Sequence, residues 1–362
     1  MRIQNSRPIK SLAKICNIIL NTNSSQTELH QALDDFSRRC SKVTRITPSA
    51  SFDAWAEDSF LEQGLAINPQ AAAHCVKDYQ RSVIFIRGIH SAISTLLNSH
   101  NSKPISLLYA GCGPFATLLL PILGKYSHEH ENIDHLKVFL LDIHPSSLES
   151  ANLLLEHFDL NNKHITLIHD NACTYQHPKR LNIIVAETMQ KSLEQEPQFM
   201  VTANLATQLA PNGIFIPENI DVSLCLAKWH EELALYRKLV KFDAIEHIKT
   251  GKRHPLGKLL SLKPNTAAIQ YKNAKFNKHT KKYELAPTII QLPKIKALKT
   301  FDVLFLTHIK VYKEHQLLDY ESDITLPSIC QSISEKNAGS YYQVSYQLGT
   351  YPRFNISHIK EK

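Results

Sequence analysis

Hydrophobic and polar positions change their period twice along the chain. Up to about residue 100 the apolar residues recur at helical spacing. TELHQALDDFSRRCSKV, residues 27–43, has this 3.6-type pattern, with Thr27 as the expected N-cap. INPQAAAHCVKDYQRSVIFIRGIHSAISTLL, residues 67–97, reads as a second helical stretch broken in two, with Pro69 in its first turn. From Lys103 short apolar runs alternate with helical ones. PISLLYAG, HLKVFLLDI, ITLIHDNA and LNIIVAE read as strands; PFATLLLPILGKY, SSLESANLLLEHFDL and PQFMVTANLATQLA read as helices. GIFIPENIDVSLCLA, residues 213–227, reads as a strand or a strand pair. Continuous apolar strands separated by helices predict a parallel sheet covered on both faces.

After about Ala227 the alternation stops. KWHEELALYRKLVKFDAI predicts a helix, and a Lys-, His- and Asn-rich stretch follows. TIIQLPKIK, DVLFLTHIKVY, SDITLPSI and YYQVSYQLGTY then read as strands with period 2 partly visible. The expected fold class is α/β. A helical segment (1–100) precedes a Rossmann-like domain (101–227). A mostly antiparallel β domain (228–362) with a basic, partly helical insertion at 228–300 follows.

Composition adds three constraints. No apolar run reaches the length of a membrane helix, and the N-terminal MRIQNSRPIKSLAKICNIIL, interrupted by Lys14 and Asn17, reads as a helix rather than a leader. The seven cysteines are scattered with no CxxC pair, which predicts free thiols in a cytoplasmic setting and no structural zinc. The net charge is +8, densest in the Lys-rich stretches at 249–258 and 273–282. It permits an acidic partner, but the cations are spread, and the expectation is a solvated surface without nucleic acid.

Candidate chemistry sits at strand ends. LLYAGCGPFATLL puts Gly111 and Gly113 at a strand-to-helix turn, where backbone and ligand approach closely and a helix N-terminus offers free N–H groups. The second strand ends at Asp142, placed to bind ribose hydroxyls, and the third puts Asn171 and Ala172 beside an adenine. Together these predict a nucleoside-bearing cofactor at the carboxyl edge of the sheet. GCGPFA also satisfies the dinucleotide fingerprint, so a nicotinamide oxidoreductase is one rival reading.

With these motifs the sequence resembles the class I S-adenosylmethionine-dependent methyltransferases, and among them the protein arginine methyltransferases. GCG resembles the family's GCGTG loop, and LLDIHPSS its ribose-binding acid. KDYQR, residues 77–81, resembles the KDxxR of the helix over the cofactor, which implies that Arg81 pairs with the methionine carboxylate. AETMQKSLEQE resembles the double-glutamate hairpin SExMGxxLxxE, keeping Glu187, Met189, Leu193 and Glu196 in its spacing. THIK within FLTHIKVY resembles the family's THW loop and nominates His308. The resemblance covers about residues 75–225. Tyr109, Phe115, Ala186 and Gln190 depart from the family pattern.

The resemblance implies S-adenosyl-L-methionine as cofactor and a guanidinium as acceptor. Two carboxylates can align a planar five-donor guanidinium bidentately. Glu187 and Glu196 are the expected clamp, with Met189 beside the transferred methyl and Glu194 pointing into solvent. The +8 charge and Gln190 favour a small guanidino compound such as free L-arginine over a protein arginine. A homodimer is the expectation the resemblance carries. A nucleic-acid methyltransferase is disfavoured because AETM stands where a base-methylating enzyme places its (N/D)PP(Y/F) segment. A catalytically inactive methyltransferase-fold partner protein is the rival from another class, with Tyr109 and Phe115 as its support.

Overall fold

The structure is a computed structural model, and it describes residues 7–49, 59–99, 104–129, 133–160, 164–240, 252–330, 333 and 338–359. Helices α1 (Arg7–Leu20) and α2 (Gln26–Thr44) come first, followed by a short hairpin of β1 (Ser59–Leu61) and β2 (Gly64–Ala66). Ser25, not Thr27, caps α2: its hydroxyl accepts from Glu28 N–H, and the Glu28 carboxylate accepts from Ser25 N–H. The glutamate at the third helical position decides this, because it closes a reciprocal capping box. The 67–97 stretch is broken as expected, into α3 (Pro69–His74) and α4 (Tyr79–Ser99), with Asn68 capping α3.

The central layer is a parallel sheet of β3 (Ile105–Ala110), β4 (Leu136–Asp142), β5 (Ile165–His169), β6 (Leu181–Ala186) and β7 (Leu209–Ile216), ordered β5-β4-β3-β6-β7. Helices α5 (Leu120–His128), α6 (Pro145–His157) and α7 (Gln198–Leu205) alternate with these strands. The central strands are buried on both faces, as their continuous apolar runs require. The chain winds outward from β3 in one direction, then returns to place β6 on its other side. The crevice where that direction reverses, between the tips of β3 and β6, is where open α/β sheets bind ligands.

The expected boundary at 227 shifts. β8 (Asn219–Ala227) leaves the parallel sheet and pairs antiparallel with the later strands, so the break falls at Pro217 and Glu218. GIFIPENIDVSLCLA is therefore a strand pair split between two sheets. After α8 (Trp229–Val240) come β9 (His254–Leu262), α9 (Pro264–Lys272), β10 (Lys275–Asn277), β11 (Lys282–Glu284) and β12 (Thr288–Gln291). The chain ends with β13 (Asp302–Tyr312), β14 (His315–Leu317), β15 (Ser328–Ile329), β16 (Tyr341–Gln347) and β17 (Arg353–Ile359). They form two antiparallel sheets, β14-β13-β8-β9 with β15 on β13, and β10-β11-β16-β12 with β17 on β16. Within the basic stretch after 228, β9 pairs along β8, while α9 packs on α7 of the parallel-sheet domain. Residues 249–251 of its first Lys-rich run lie outside the described residues.

Candidate active site

Parallel register sets the site. Ala110 of β3 pairs with Leu141 of β4 and with Ala186 of β6. The next residues, Gly111, Asp142 and Glu187, therefore emerge side by side at one edge. Gly111 is needed there: its φ is +67°, and a Cβ would meet Thr188 Cγ2 at 2.5 Å. Asp142 closes the turn, its two oxygens accepting Gly113 N–H at 2.8 Å and His144 N–H at 2.9 Å. Burial pushes its carboxyl up, and those backbone donors oppose the shift.

The helix after the glycines does not begin where the sequence pattern put it. Residues 113–119 form turns, with Ala116 at φ 41°, and α5 starts only at Leu120 with Pro121 in its first turn. Phe115 takes up this length by sinking into the core at 1% exposure. The N-terminus of α5 is thus displaced beyond the glycine turn.

Arg81 lies in the first turn of α4, and Asp78 Oδ1 accepts its backbone N–H. Asp78 Oδ2 accepts from the Ser322 hydroxyl at 2.5 Å and from Asp323 N–H at 2.9 Å. One carboxylate thus fixes α4 and ties it to the β domain. From this position Arg81 Nη2 reaches Glu187 Oε2 at 3.0 Å, both side chains under a tenth exposed. Burial pushes the Glu187 carboxyl up and Arg81 opposes it; burial would lower the Arg81 guanidinium, but neighbouring Cys75, Glu187 and Asp78 outweigh it and raise it. Arg81 Nε and Glu187 Oε1 have no hydrogen-bond partner. Buried polar groups are rarely left unpaired, and both of these belong to residues that line one cavity.

Glu187 is aimed by Gln198 of α7. The Gln198 amide donates to Ala186 O at 3.1 Å and accepts from Thr188 N–H at 2.8 Å, bracketing the glutamate, and it is fully buried. The hairpin beyond it is held from outside. Ser192, Leu193 and Gln195 all have positive φ, at 60°, 55° and 66°. Ser192 N–H donates to Thr307 Oγ1 at 2.9 Å, and the Tyr346 hydroxyl to Leu193 O at 2.5 Å. Gln195 N–H donates to Pro352 O and Gln195 O accepts from Leu65 N–H. These contacts bring Glu196, 7% exposed, to the wall of the cavity that holds Glu187.

One cavity collects Arg81, Gly111, Gly113, Asp142, Asn171, Ala172, Glu187, Met189 and Glu196. Nine of the ten residues nominated from the sequence therefore share a wall. His308 is the exception. Thr307 and His308 project to opposite faces of β13, so the buried Thr307 reaches the hairpin. His308 stands 45% exposed on the other face, bonded to Asp319 at 3.0 Å. Glu194 is half-buried and outside the cavity wall.

The sequence reading missed several wall residues. Leu61 and Leu65 come from the β1–β2 hairpin, which carries no motif; Tyr109, noted in the sequence only as a departure from the family pattern, lines the cavity beside Arg81 and Glu187. Gln198, behind the wall at the start of α7, gave no signal because it falls within a helical pattern. Cys75, Cys112 and Cys173 also line the wall, but burial pushes their thiols up, Cys173 to about 12, which disfavours a thiolate nucleophile. Among the described residues no group of three or more His, Cys, Asp and Glu could hold a metal ion, and no helix is long and apolar enough to cross a membrane.

No family model matches this chain, and no curated protein matches it. Solved structures do. The Trypanosoma brucei PRMT1 enzyme-prozyme heterotetrameric complex with AdoHcy matches at 12% identity and TM-score 0.42, over 80% of this chain and 92% of that chain. Arabidopsis thaliana protein arginine methyltransferase 10, in an open conformation, matches at 10% identity and TM-score 0.44, over 72% of this chain and 84% of that chain.

Proposed function

We propose that this chain is an S-adenosyl-L-methionine-dependent N-methyltransferase acting on a guanidinium nitrogen, with a small guanidino compound such as free L-arginine as acceptor. The observation that carries the reading is the buried Arg81–Glu187 pair, which leaves Arg81 Nε and Glu187 Oε1 unpartnered in the cavity that also holds the glycine turn and Asp142.

Arg81 suits a carboxylate, Asp142 has lone pairs left for ribose hydroxyls, and Asn171 and Ala172 flank the place for a base. When bound, the cofactor supplies the electrophilic methyl. Glu187 Oε1 and the Glu196 carboxylate clamp the acceptor guanidinium and concentrate electron density on one nitrogen. Their work is orientation and electrostatics in a site shielded from water. A strong base is not required beforehand, because the nitrogen's proton becomes acidic as the N–C bond forms. Met189, 3% exposed, packs beside the reacting centre.

The +8 charge supports a small acceptor, since a basic peptide tail is repelled. A protein arginine is the second acceptor reading. A catalytically inactive partner protein is the reading from another class, favoured by Ala116 at positive φ and the late start of α5.

The test is calorimetric titration with S-adenosylhomocysteine, then L-arginine into that complex, for wild type and Glu187→Gln. The reading requires both ligands to bind wild type and arginine to fail with the variant. If arginine never binds, a protein arginine or another amine replaces it. If S-adenosylhomocysteine does not bind, the cofactor assignment is wrong.

A further inference from the structure

The second Lys-rich stretch has an organisation that the methyl-transfer reading does not use. Between Lys263 and Tyr283 the chain carries six lysines and His279 and no acidic residue. All six lysines are exposed. The first acid beyond them, Glu284, is withdrawn from the surface at 7% exposure, accepting from Ser345, Asn277, Thr280 and Asn355. It neutralises nothing outside.

Aromatic rings are set among these cations. Phe276 of β10 and Tyr283 of β11 are direct cross-strand partners, with ring centroids 5.5 Å apart at 68°. They are 54% and 56% exposed, and Tyr271 at the end of α9 is 48% exposed. A cross-strand aromatic pair usually stabilises a hairpin by burial. This one lies on the open face, so its apolar area stays in water. Lys278 and Lys281 flank the pair in the connecting turn, and Lys272 and Lys275 precede it.

We propose that α9 and the β10–β11 hairpin form a docking surface for single-stranded nucleic acid. Flat rings offer stacking to unpaired bases of any sequence, and lysines around them track the phosphates. A solvated charged face needs no exposed aromatic pair, and an apolar protein interface excludes this density of lysine. The surface stands apart from the cavity wall and does not rest on the methyl-transfer reading. It revises the expectation from composition that the chain meets no nucleic acid.

The experiment is fluorescence anisotropy of the full-length protein with labelled 12-nucleotide single-stranded RNA and DNA, a matching duplex and a poly-glutamate peptide, across a salt series. We expect single strands to bind more tightly than the duplex or the peptide, with RNA against DNA fixing the source. Phe276→Ala with Tyr283→Ala should weaken binding by about tenfold or more. Lys278→Ala with Lys281→Ala should flatten the salt dependence by about 1.4 log units per log unit. Photo-crosslinking of a bromouridine strand to wild type should map to residues 271–283, a readout independent of how the variants fold. Equal duplex and single-strand binding, an aromatic variant that binds like wild type, or cross-links elsewhere would each overturn the proposal. Tighter binding of poly-glutamate would assign the surface to an acidic protein instead.

Discussion

Arg81 Nη2 sits 3.0 Å from Glu187 Oε2, so the residue nominated to hold the cofactor and the residue nominated to hold the acceptor are ion-paired to each other. The two half-sites share one electrostatic hinge. Arg81→Ala should therefore do more than weaken S-adenosylhomocysteine binding. It leaves a buried carboxylate uncompensated, and we expect a stability loss of about 3 kcal/mol in denaturant unfolding. A double cycle with Glu187→Gln should recover part of that loss. Strictly additive losses would show that the pair is not coupled.

Gln198 brackets Glu187 through the flanking backbone, which makes it a positioning residue. Gln198→Leu strands Ala186 O and Thr188 N–H in the interior. We expect about 2 kcal/mol of destabilisation and lowered turnover with S-adenosylhomocysteine affinity largely kept. Turnover at the wild-type level in the folded variant would remove Gln198 from this role.

The positive-φ hairpin is held by hydroxyl bonds from the β domain. Tyr346→Phe and Thr307→Val each remove one, at an expected cost of about 1 kcal/mol. The functional signature should be a raised KM for the acceptor with unchanged cofactor affinity, because Glu196 loosens while Asp142 and Arg81 do not. Calorimetry of each ligand separates the effects.

Gly111→Ala places a methyl group against Thr188 at a backbone conformation that non-glycine residues seldom adopt. We expect loss of S-adenosylhomocysteine binding, with partial recovery in Gly111→Ala/Thr188→Ser, which removes the clashing methyl. Binding by the single variant at wild-type strength would mean that the turn yields.

His308 gives a pH signature of stability rather than of catalysis. Its hydrogen bond to Asp319, the larger influence, raises its pKa above the ordinary histidine value, and partial burial opposes this. A histidine with a raised folded pKa adds stability that is complete below its unfolded pKa, near 6.5, and is lost as pH rises through the folded value. Heat unfolding should give a higher Tm at pH 6 than at pH 8.5, and His308→Gln should reduce that difference. A difference unchanged in the variant would assign the effect elsewhere.

Much of the site was legible because strand ends concentrate it. Apolar runs located β3, β4 and β6, and in a parallel sheet with one register their terminal residues share an edge. Gly111, Asp142 and Glu187 follow from that alone. Where period gave no face, the reading failed. TLLLPILG fits a helix from the glycines onward, but Ala116 turns the backbone and Phe115 is drawn into the core, so α5 starts late. THIK matched a short motif, but alternation along β13 turns its histidine away from the hairpin that its threonine supports.

The sequence by itself determined the order of elements, the parallel sheet and the residues at its carboxyl edge, because hydrophobic period and glycine conformation are local properties. Tertiary structure decided how Glu196, which the resemblance nominated, reaches the cavity of Glu187. Thr307, Tyr346, Pro352 and Leu65 hold that hairpin in place across long separations in sequence. It likewise decided that Arg81 and Glu187 pair, and that Phe276 and Tyr283 face water together. Such contacts arise from packing between distant segments, which no local pattern encodes.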